Sequence, residues 1–382
     1  MPKVIHFGAG KIGRGFIGAV LNEAGHDVVF ADVDKDIIDQ INAAKEYTLH
    51  IIDRDSCSRR ITGVSAIDST SEELPVLIAE ADLITTAVSL KVLPYIAPAI
   101  AAGIKTRSAI GNVSPLNIIC CENGIRATST LKQSVTEKLD AQTLEWMKGK
   151  IGFADCSVDR IVPMISLESS LDVAVEEFYE WNVDNTQLVG EPMSIPGMNL
   201  TDNLDACVEK KLFTLNTGHC TTAFLGSMKG YTFIHEAICD PQIQKIVRSV
   251  MNQSGAALIR KFGIDPESHA EYVEKIISRF SNPHLNDLVS RVAHDPIRKL
   301  GSNLYFAYPM KMAMDLGLPY DKIALAAAAA LHYDNPEDPQ SVEIRKRVAG
   351  SGPAETFSSI SGIIDQKAAT LVAQAYETLK TL

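Results

Sequence analysis

The stretch Lys210-Lys211-Leu212-Phe213-Thr214-Leu215-Asn216-Thr217-Gly218-His219 sets an amine, a carboxamide and an imidazole at positions i, i+5 and i+8. Its composition predicts a long helix beginning near Thr201. At about 100° per residue, Asn216 and His219 fall roughly 140° and 80° around that helix from Lys211, so all three can share one broad face. A lysine able to accept a proton, beside two neutral hydrogen-bonding groups, is what alcohol oxidation without a metal requires. The competing reading is a solvated lysine and a helix-capping asparagine. The other end of the chain decides between them.

Val4-Ile5-His6-Phe7 is a short apolar run that breaks into Gly8-Ala9-Gly10-Lys11-Ile12-Gly13, followed by Arg14 and Gly15. A helical pattern continues through Phe16, Ile17, Val20 and Leu21 to Gly25, and Val28 to Ala31 makes a second strand ending at Asp32. Strand, glycine turn, helix and strand in that order form the context of a dinucleotide fingerprint. Gly8 permits the tight turn, Gly10 lets backbone approach a pyrophosphate, and Gly13 lets helix and strand pack closely. Lys11 and Arg14 add positive charge at the turn. Asp32 lies where a carboxylate would accept hydrogen bonds from the adenosine ribose and repel a 2′-phosphate, which favours NAD over NADP.

The doubly wound pattern goes on. Ile37 to Ile41 reads as a helix. Asp82 to Val88 reads as a parallel strand, with Val88 at its cofactor end. Tyr47 to Ile52 and Arg60 to Ala66 read as inserted strands that enlarge the sheet. Leu116 to Cys121 leads into Glu122-Asn123, so Asn123 leaves a strand end on the cofactor side, or else caps a helix beginning near Gly124. Asp159-Arg160 precedes an apolar turn, and Val173 to Trp181 alternates like one more strand. Gly190, Pro192, Pro196 and Gly197 mark a boundary, giving a Rossmann-type NAD-binding domain over 1–192 and an all-helical substrate and catalytic domain over 193–382. The helical half is punctuated at Pro241, Pro266, Pro283, Pro296, Pro309, Pro319 and Pro336.

A chain of 382 residues, 46% hydrophobic and 22% charged, is an ordinary globular protein of two or three domains. Its net charge of −11 argues against nucleic acid as a partner. The longest apolar run, Ile323 to Leu331, is too short to span a bilayer and reads as a buried Ala-rich helix. Seven scattered cysteines form neither a disulfide framework nor a metal-ligand pattern. No signal peptide is evident, so a cytoplasmic monomer or homodimer is expected, acting on a small molecule without membrane or metal.

Together these residues resemble the polyol-specific long-chain dehydrogenases, the mannitol dehydrogenase family. The resemblance is carried by His6 to Gly10 continuing through Gly13-Arg14-Gly15-Phe16-Ile17-Gly18, by Ser114-Pro115-Leu116-Asn117 through Glu122-Asn123, by Val158 to Pro163, by Ile195 to Met198 and by Lys211 to His219. It implies a Rossmann-type domain whose sheet is mostly parallel, a helical domain, and a metal-free cleft between them. Lys211 matches the catalytic lysine, Asn216 and Asn123 the pair that polarises the reacting oxygen, His219 a substrate contact, and Asp159 an aspartate beside the nicotinamide. The implied reaction is NAD-dependent interconversion of mannitol 1-phosphate and fructose 6-phosphate, with Arg298 and Lys299 holding the sugar phosphate. An unphosphorylated polyol or hexuronate is the alternative substrate, and a non-catalytic NAD-binding sensor the alternative of another class. The chain departs from the family at Lys11, where relatives usually carry Asn, and at Tyr305 and Tyr308, where they tend to carry basic residues.

Overall fold

The computed structural model describes residues 2–53, 56–163 and 165–381. They form two compact units, Met1–Leu204 and Asp205–Leu382. The division falls beyond the expected 192/193 because a strand at Met198–Thr201 still pairs within the first unit.

The strands of the first unit are β1 (Lys3–Phe7), β2 (Asp27–Asp32), β3 (Glu46–Ile51), β4 (Cys57–Thr62), β5 (Ser65–Asp68), β6 (Leu83–Thr86), β7 (Leu116–Cys120), β8 (Ile151–Phe153), β9 (Cys156–Asp159), β10 (Val173–Val175), β11 (Glu180–Asp184) and β12 (Met198–Thr201). Six of them make a wholly parallel sheet in the order β5-β2-β1-β6-β7-β8. Strands covered on both faces carry unbroken apolar runs. Accordingly Val4 packs with Ile17, Val28 and Phe30 on one face, while Ile5 and Phe7 pack with Ile84, Leu93 and Ile118 on the other. The winding direction reverses between β1 and β6, and in open α/β sheets ligands bind outside the strand ends at such a reversal.

Of the inserted strands, β5 joins this sheet at its edge and the others do not. β3 pairs antiparallel with β4 and parallel with β10 to make a separate three-stranded sheet. Gly63, with a φ of +73°, breaks the expected 60–66 strand, so β4 belongs to the small sheet and β5 to the large one. Val173 to Trp181 is likewise two strands in two sheets, because β11 pairs with β9 and β12.

The second unit is helical. Most of the prolines that punctuate its sequence begin helices rather than break them. Pro241, Pro266 and Pro339 each occupy the first helical position behind an aspartate whose carboxylate accepts from free backbone N–H groups: Asp240 from Gln242 and Ile243, Asp265 from Ser268, and Asp338 from Gln340. The Ala-rich helix Asp321–His332 buries Ala324 and Ala326 to Ala330 completely. Its small side chains let it pack against the helices Thr217–Met228, Pro241–Phe262 and Gln366–Leu379. Among the described residues no helix is long and apolar enough to cross a membrane.

Candidate active site

Each unit carries its own set of candidate site residues. In the first unit the glycines after β1 have three separate functions. Gly8 adopts a φ of +101°, and a Cβ there would lie 2.7 Å from the Ala87 carbonyl oxygen. At Gly13 a Cβ would overlap the Gly8 carbonyl oxygen and approach His6 Nε2 to 2.9 Å, so turn and helix close tightly. Gly10 is the opposite case: an added Cβ meets nothing within 4 Å. The helix is interrupted at Phe16 (φ −128°, ψ −89°), giving a five-residue turn Lys11–Gly15 before Ile17–Glu23.

Asp32, at the end of β2, is drawn into this turn. Its Oδ2 accepts from the Ala9 N–H at 2.5 Å, and its Oδ1 accepts from the N–H groups of Val33 and Asp34 at 2.7 and 3.0 Å. The carboxylate is therefore oriented by the backbone before any ligand arrives. Val33, next to it, is 71% exposed, and Ile12 and Leu90 are exposed as well. Ile12 belongs to the glycine turn and Leu90 to the strand end expected beside the cofactor; Val33 went unnoticed in the sequence, where a lone apolar residue carries no signal.

The side chains of several residues expected at the cofactor are engaged in the framework. The side chains of Val4, Ile5 and Phe7 lie inside the two cores. His6 is completely buried, its Nδ1 is 2.7 Å from Thr85 Oγ1, and burial pulls its pKa down to about 3. Arg14 presents no charge to a ligand. Its buried guanidinium donates to the carbonyls of Ala9, Leu171 and Ser170, the last two at 3.0 Å, and so ties the turn to the segment before β10. Lys11 reaches the Ile165 carbonyl at 3.3 Å.

The carboxyl ends of β6 and β7 are joined by Glu122. This buried carboxylate accepts from Thr86 Oγ1 at 2.8 Å and from the Val88 N–H at 3.0 Å, and burial raises its pKa. Glu122 thus fixes Val88, whose Cγ1 faces Gly8, and the exposed Asn123 follows it. The next helix begins only at Ala127 with Arg126 in the capping position, so Asn123 is not a cap. Asp159 ends β9 opposite Glu180 of β11. Arg160 serves the turn: it donates to the carbonyls of Glu176 and Gly15, both at 3.1 Å, between the rings of Phe16 and Tyr179.

In the second unit the expected continuous α-helix is replaced at its centre by a π-helical segment. Leu204–Lys210 is α-helical, Lys211–Asn216 is π-helical and Thr217–Met228 is α-helical again. A π turn bonds i to i+5, so Lys211 and Asn216 stack one turn apart and the 140° separation of α geometry does not apply. Two of its carbonyls find side-chain donors: Ser254 Oγ donates to Phe213, and Thr217 Oγ1 to Leu212 at 3.3 Å. The same Thr217 hydroxyl donates to the Tyr305 carbonyl at 2.7 Å, which ties the turn to a distant segment. Phe213, Thr214, Leu215, Thr217, Gly218 and Cys220 are buried, whereas Lys211, Asn216 and His219 stay partly open. Lys210 lies 4.3 Å over the Tyr272 ring.

His219 Nε2 is 2.8 Å from the buried Asp287 Oδ2, and Phe280 stacks on its ring at 4.6 Å. The departures at 305 and 308 lie beside these residues. Tyr308 stacks on Phe213 at 4.7 Å, while the Tyr305 hydroxyl lies in hydrogen-bonding reach of Asn216 and Arg298. Of the expected phosphate anchors, Arg298 is 51% exposed, but Lys299 is 5% exposed and donates to the His294 carbonyl. Burial lowers the Lys299 pKa, and the side chain is a packing element instead of an anchor. His294, Asp295 and Asp338 bring ligand atoms within 4.8 Å of one another. Asp338 accepts from the N–H groups of Asp295 and Gln340 at 2.9 Å, and this capping accounts for its burial.

Residues 2–197 match the family described as the mannitol dehydrogenase Rossmann domain, and residues 203–380 match the mannitol dehydrogenase C-terminal domain. A D-sorbitol dehydrogenase in substrate-free form has the same fold with a TM-score of 0.83 at 16% identity, over 99% of this chain and 93% of that one. A Pseudomonas fluorescens mannitol 2-dehydrogenase, solved as a ternary complex with NAD and D-mannitol, gives 0.72 at 18% identity, over 99% and 92%. At such identities the likeness is one of fold.

Proposed function

The chain belongs to the mannitol dehydrogenase family, and from that premise we propose that it is an NAD-dependent polyol dehydrogenase, interconverting D-mannitol 1-phosphate and D-fructose 6-phosphate. One observation carries the chemical part: the helical run turns π-helical over Lys211–Asn216, and Lys211, Asn216 and His219 stay partly accessible beside the buried Phe213, Thr214, Leu215, Thr217, Gly218 and Cys220. π turns recur at functional sites because they realign side chains that a regular helix holds apart.

Lys211 takes the hydroxyl proton, so its amine must be neutral for part of the cycle. Asn216 donates an N–H to the oxygen as negative charge develops, and Asn123 of the first unit supplies a second neutral donor. A neutral donor suits this position because a cation would hold the alkoxide too firmly for hydride to depart. His219 binds a neighbouring hydroxyl. NAD, when bound, accepts the hydride. Gly10 gives its pyrophosphate room, Asp32 takes the adenosine ribose, and Ile12, Val33 and Leu90 offer apolar surface to the base. Val88 and Asp159 flank the nicotinamide in this reading.

Arg298 anchors the substrate phosphate, and the binding energy of that remote group orients the reacting carbon. A second reading, oxidation of an unphosphorylated polyol or a hexuronate, is favoured by the burial of Lys299, which leaves Arg298 to face a dianion without it. The test is NADH formation by the purified protein with mannitol 1-phosphate, mannitol, sorbitol 6-phosphate and mannonate, with NADP as control. Turnover confined to mannitol 1-phosphate supports the first reading, and turnover of mannitol or mannonate the second. NADH binding with no turnover of any compound contradicts both and leaves the sensor.

A further inference from the structure

His219 is held more firmly than a substrate contact requires. Phe280 stacks on its ring with planes 20° apart. Its Nε2 meets Asp287 Oδ2 at 2.8 Å, and among the described residues no hydrogen bond to Nδ1 is formed. Asp287, only 8% exposed, is itself fixed. Its Oδ1 accepts from both Nε and Nη2 of Arg291, at 2.8 and 2.5 Å, so Oδ2 is the oxygen left for the histidine. Its backbone carbonyl accepts from Ile234 N–H at 2.8 Å, and the adjacent Leu288 forms a bridge with Phe233. Burial pushes the Asp287 pKa up, but the hydrogen bonds and charges of His219 and Arg291 outweigh it, and the net direction is down.

An ionised carboxylate only accepts hydrogen bonds. A neutral imidazole bonded to it must therefore carry its proton on Nε2 and present Nδ1 as a bare lone pair. Such a nitrogen accepts from a hydroxyl proton, whereas a carbonyl or a methylene offers it nothing.

We propose that Asp287 is a positioning residue that fixes the Nε2–H tautomer of His219, making His219 an acceptor that selects polyols bearing a hydroxyl at the position it reads. This inference rests on His219 facing the substrate, as in the reading above. The same logic, an outer partner setting tautomer and ring orientation, governs histidines at metal and acyl-transfer sites.

The geometry makes Asp287→Asn informative. Arg291 holds the Oδ1 side, so the asparagine oxygen turns toward Arg291 and its amide N–H2 toward His219. That arrangement moves the imidazole proton to Nδ1 and abolishes the acceptor. The experiment is 15N NMR of histidine-labelled full-length protein, with the His219 signal identified by its loss in His219→Asn. Wild type should show a protonated Nε2 and a bare Nδ1 in the neutral ring, and Asp287→Asn the reverse.

In the same variant the KM for the polyol should rise about tenfold or more while kcat changes less and NADH affinity is unaltered. Asp287→Glu should recover part of that loss. A bare Nε2 in wild type overturns the proposal, as does an Asp287→Asn protein that changes tautomer with KM within twofold of normal. Should Asp287→Asn fail to fold, the wild-type tautomer still decides. Because that spectrum needs no turnover, an inactive wild type would count against the functional reading alone.

Discussion

Gly10 and Gly13 stand three residues apart in one turn, yet alanine at each should have opposite effects on stability and the same effect on cofactor binding. At Gly13 the new methyl overlaps the Gly8 carbonyl oxygen and sits 2.9 Å from His6 Nε2. Both neighbours are rigid, one a backbone atom and the other a completely buried ring, so the turn must move as a unit. Overpacking of this kind costs about 1–3 kcal/mol. For a unit of this size that lowers the unfolding midpoint by about 2–12 °C.

At Gly10 the backbone has a φ of −67° and a ψ of 179° below zero, an extended conformation that alanine adopts freely, and nothing lies within 4 Å of the added methyl. Restricting the unfolded chain then stabilises by about 0.4–1 kcal/mol. Both variants should raise the Kd for NADH by about tenfold or more, Gly13→Ala by displacing the turn and Gly10→Ala by filling the space proposed for the pyrophosphate. Differential scanning calorimetry and NADH fluorescence titration on the same samples read both quantities. A Gly10→Ala protein that keeps its midpoint and also binds NADH normally would refute the placement of the pyrophosphate over Gly10.

Other expectations are shorter. Asn216→Ala should lower kcat by about 10²–10³-fold and leave NADH affinity intact, which steady-state kinetics beside a titration would check. Asp32→Ser should shift the NAD-to-NADP preference in kcat/KM by about tenfold toward NADP, and an unchanged ratio would contradict its ribose role. Arg298→Ala should raise KM selectively for a phosphorylated polyol, whereas Lys299→Ala should lower the unfolding midpoint with no such selectivity. His6 should make the protein acid-sensitive. Its pKa falls from 6.5 unfolded to about 3 folded, so its contribution is complete above pH 6.5 and is lost as pH falls toward 3, at roughly 1.4 kcal/mol per pH unit. In a pH series of unfolding midpoints, His6→Leu should flatten that slope, and an unaltered slope would exclude His6 as its source.

The dinucleotide turn was legible in the sequence because its constraints are local. Only glycine tolerates a φ of +101° at ease, and only glycine fits between a helix and a strand in contact. What eluded sequence reading depends on partners far along the chain. The π turn at Lys211–Asn216 is supported by Ser254 and by the Tyr305 carbonyl, and nothing within the decamer announces them. The alternation of Tyr47 to Ile52 announces a strand, but its partner β10 lies over a hundred residues on, so the sheet it joins could not be read.

Charge was read correctly as residue type and wrongly as availability. Arg14 and Lys299 are buried against carbonyls, and only packing distinguishes them from a solvated arginine or lysine. Asp287 had no motif at all. It follows a proline-headed turn, and its importance comes from meeting a histidine 68 positions earlier.

The central claim is that Lys211 is the base of an NAD-linked polyol oxidation. It is tested most directly by NAD reduction with wild type and Lys211→Ala on the substrate that wild type prefers, with NADH binding measured on the same preparations. The account predicts that turnover falls by about 10²–10⁴-fold while the Kd for NADH is unchanged. Turnover within a few-fold of wild type, at full NADH occupancy, would contradict it.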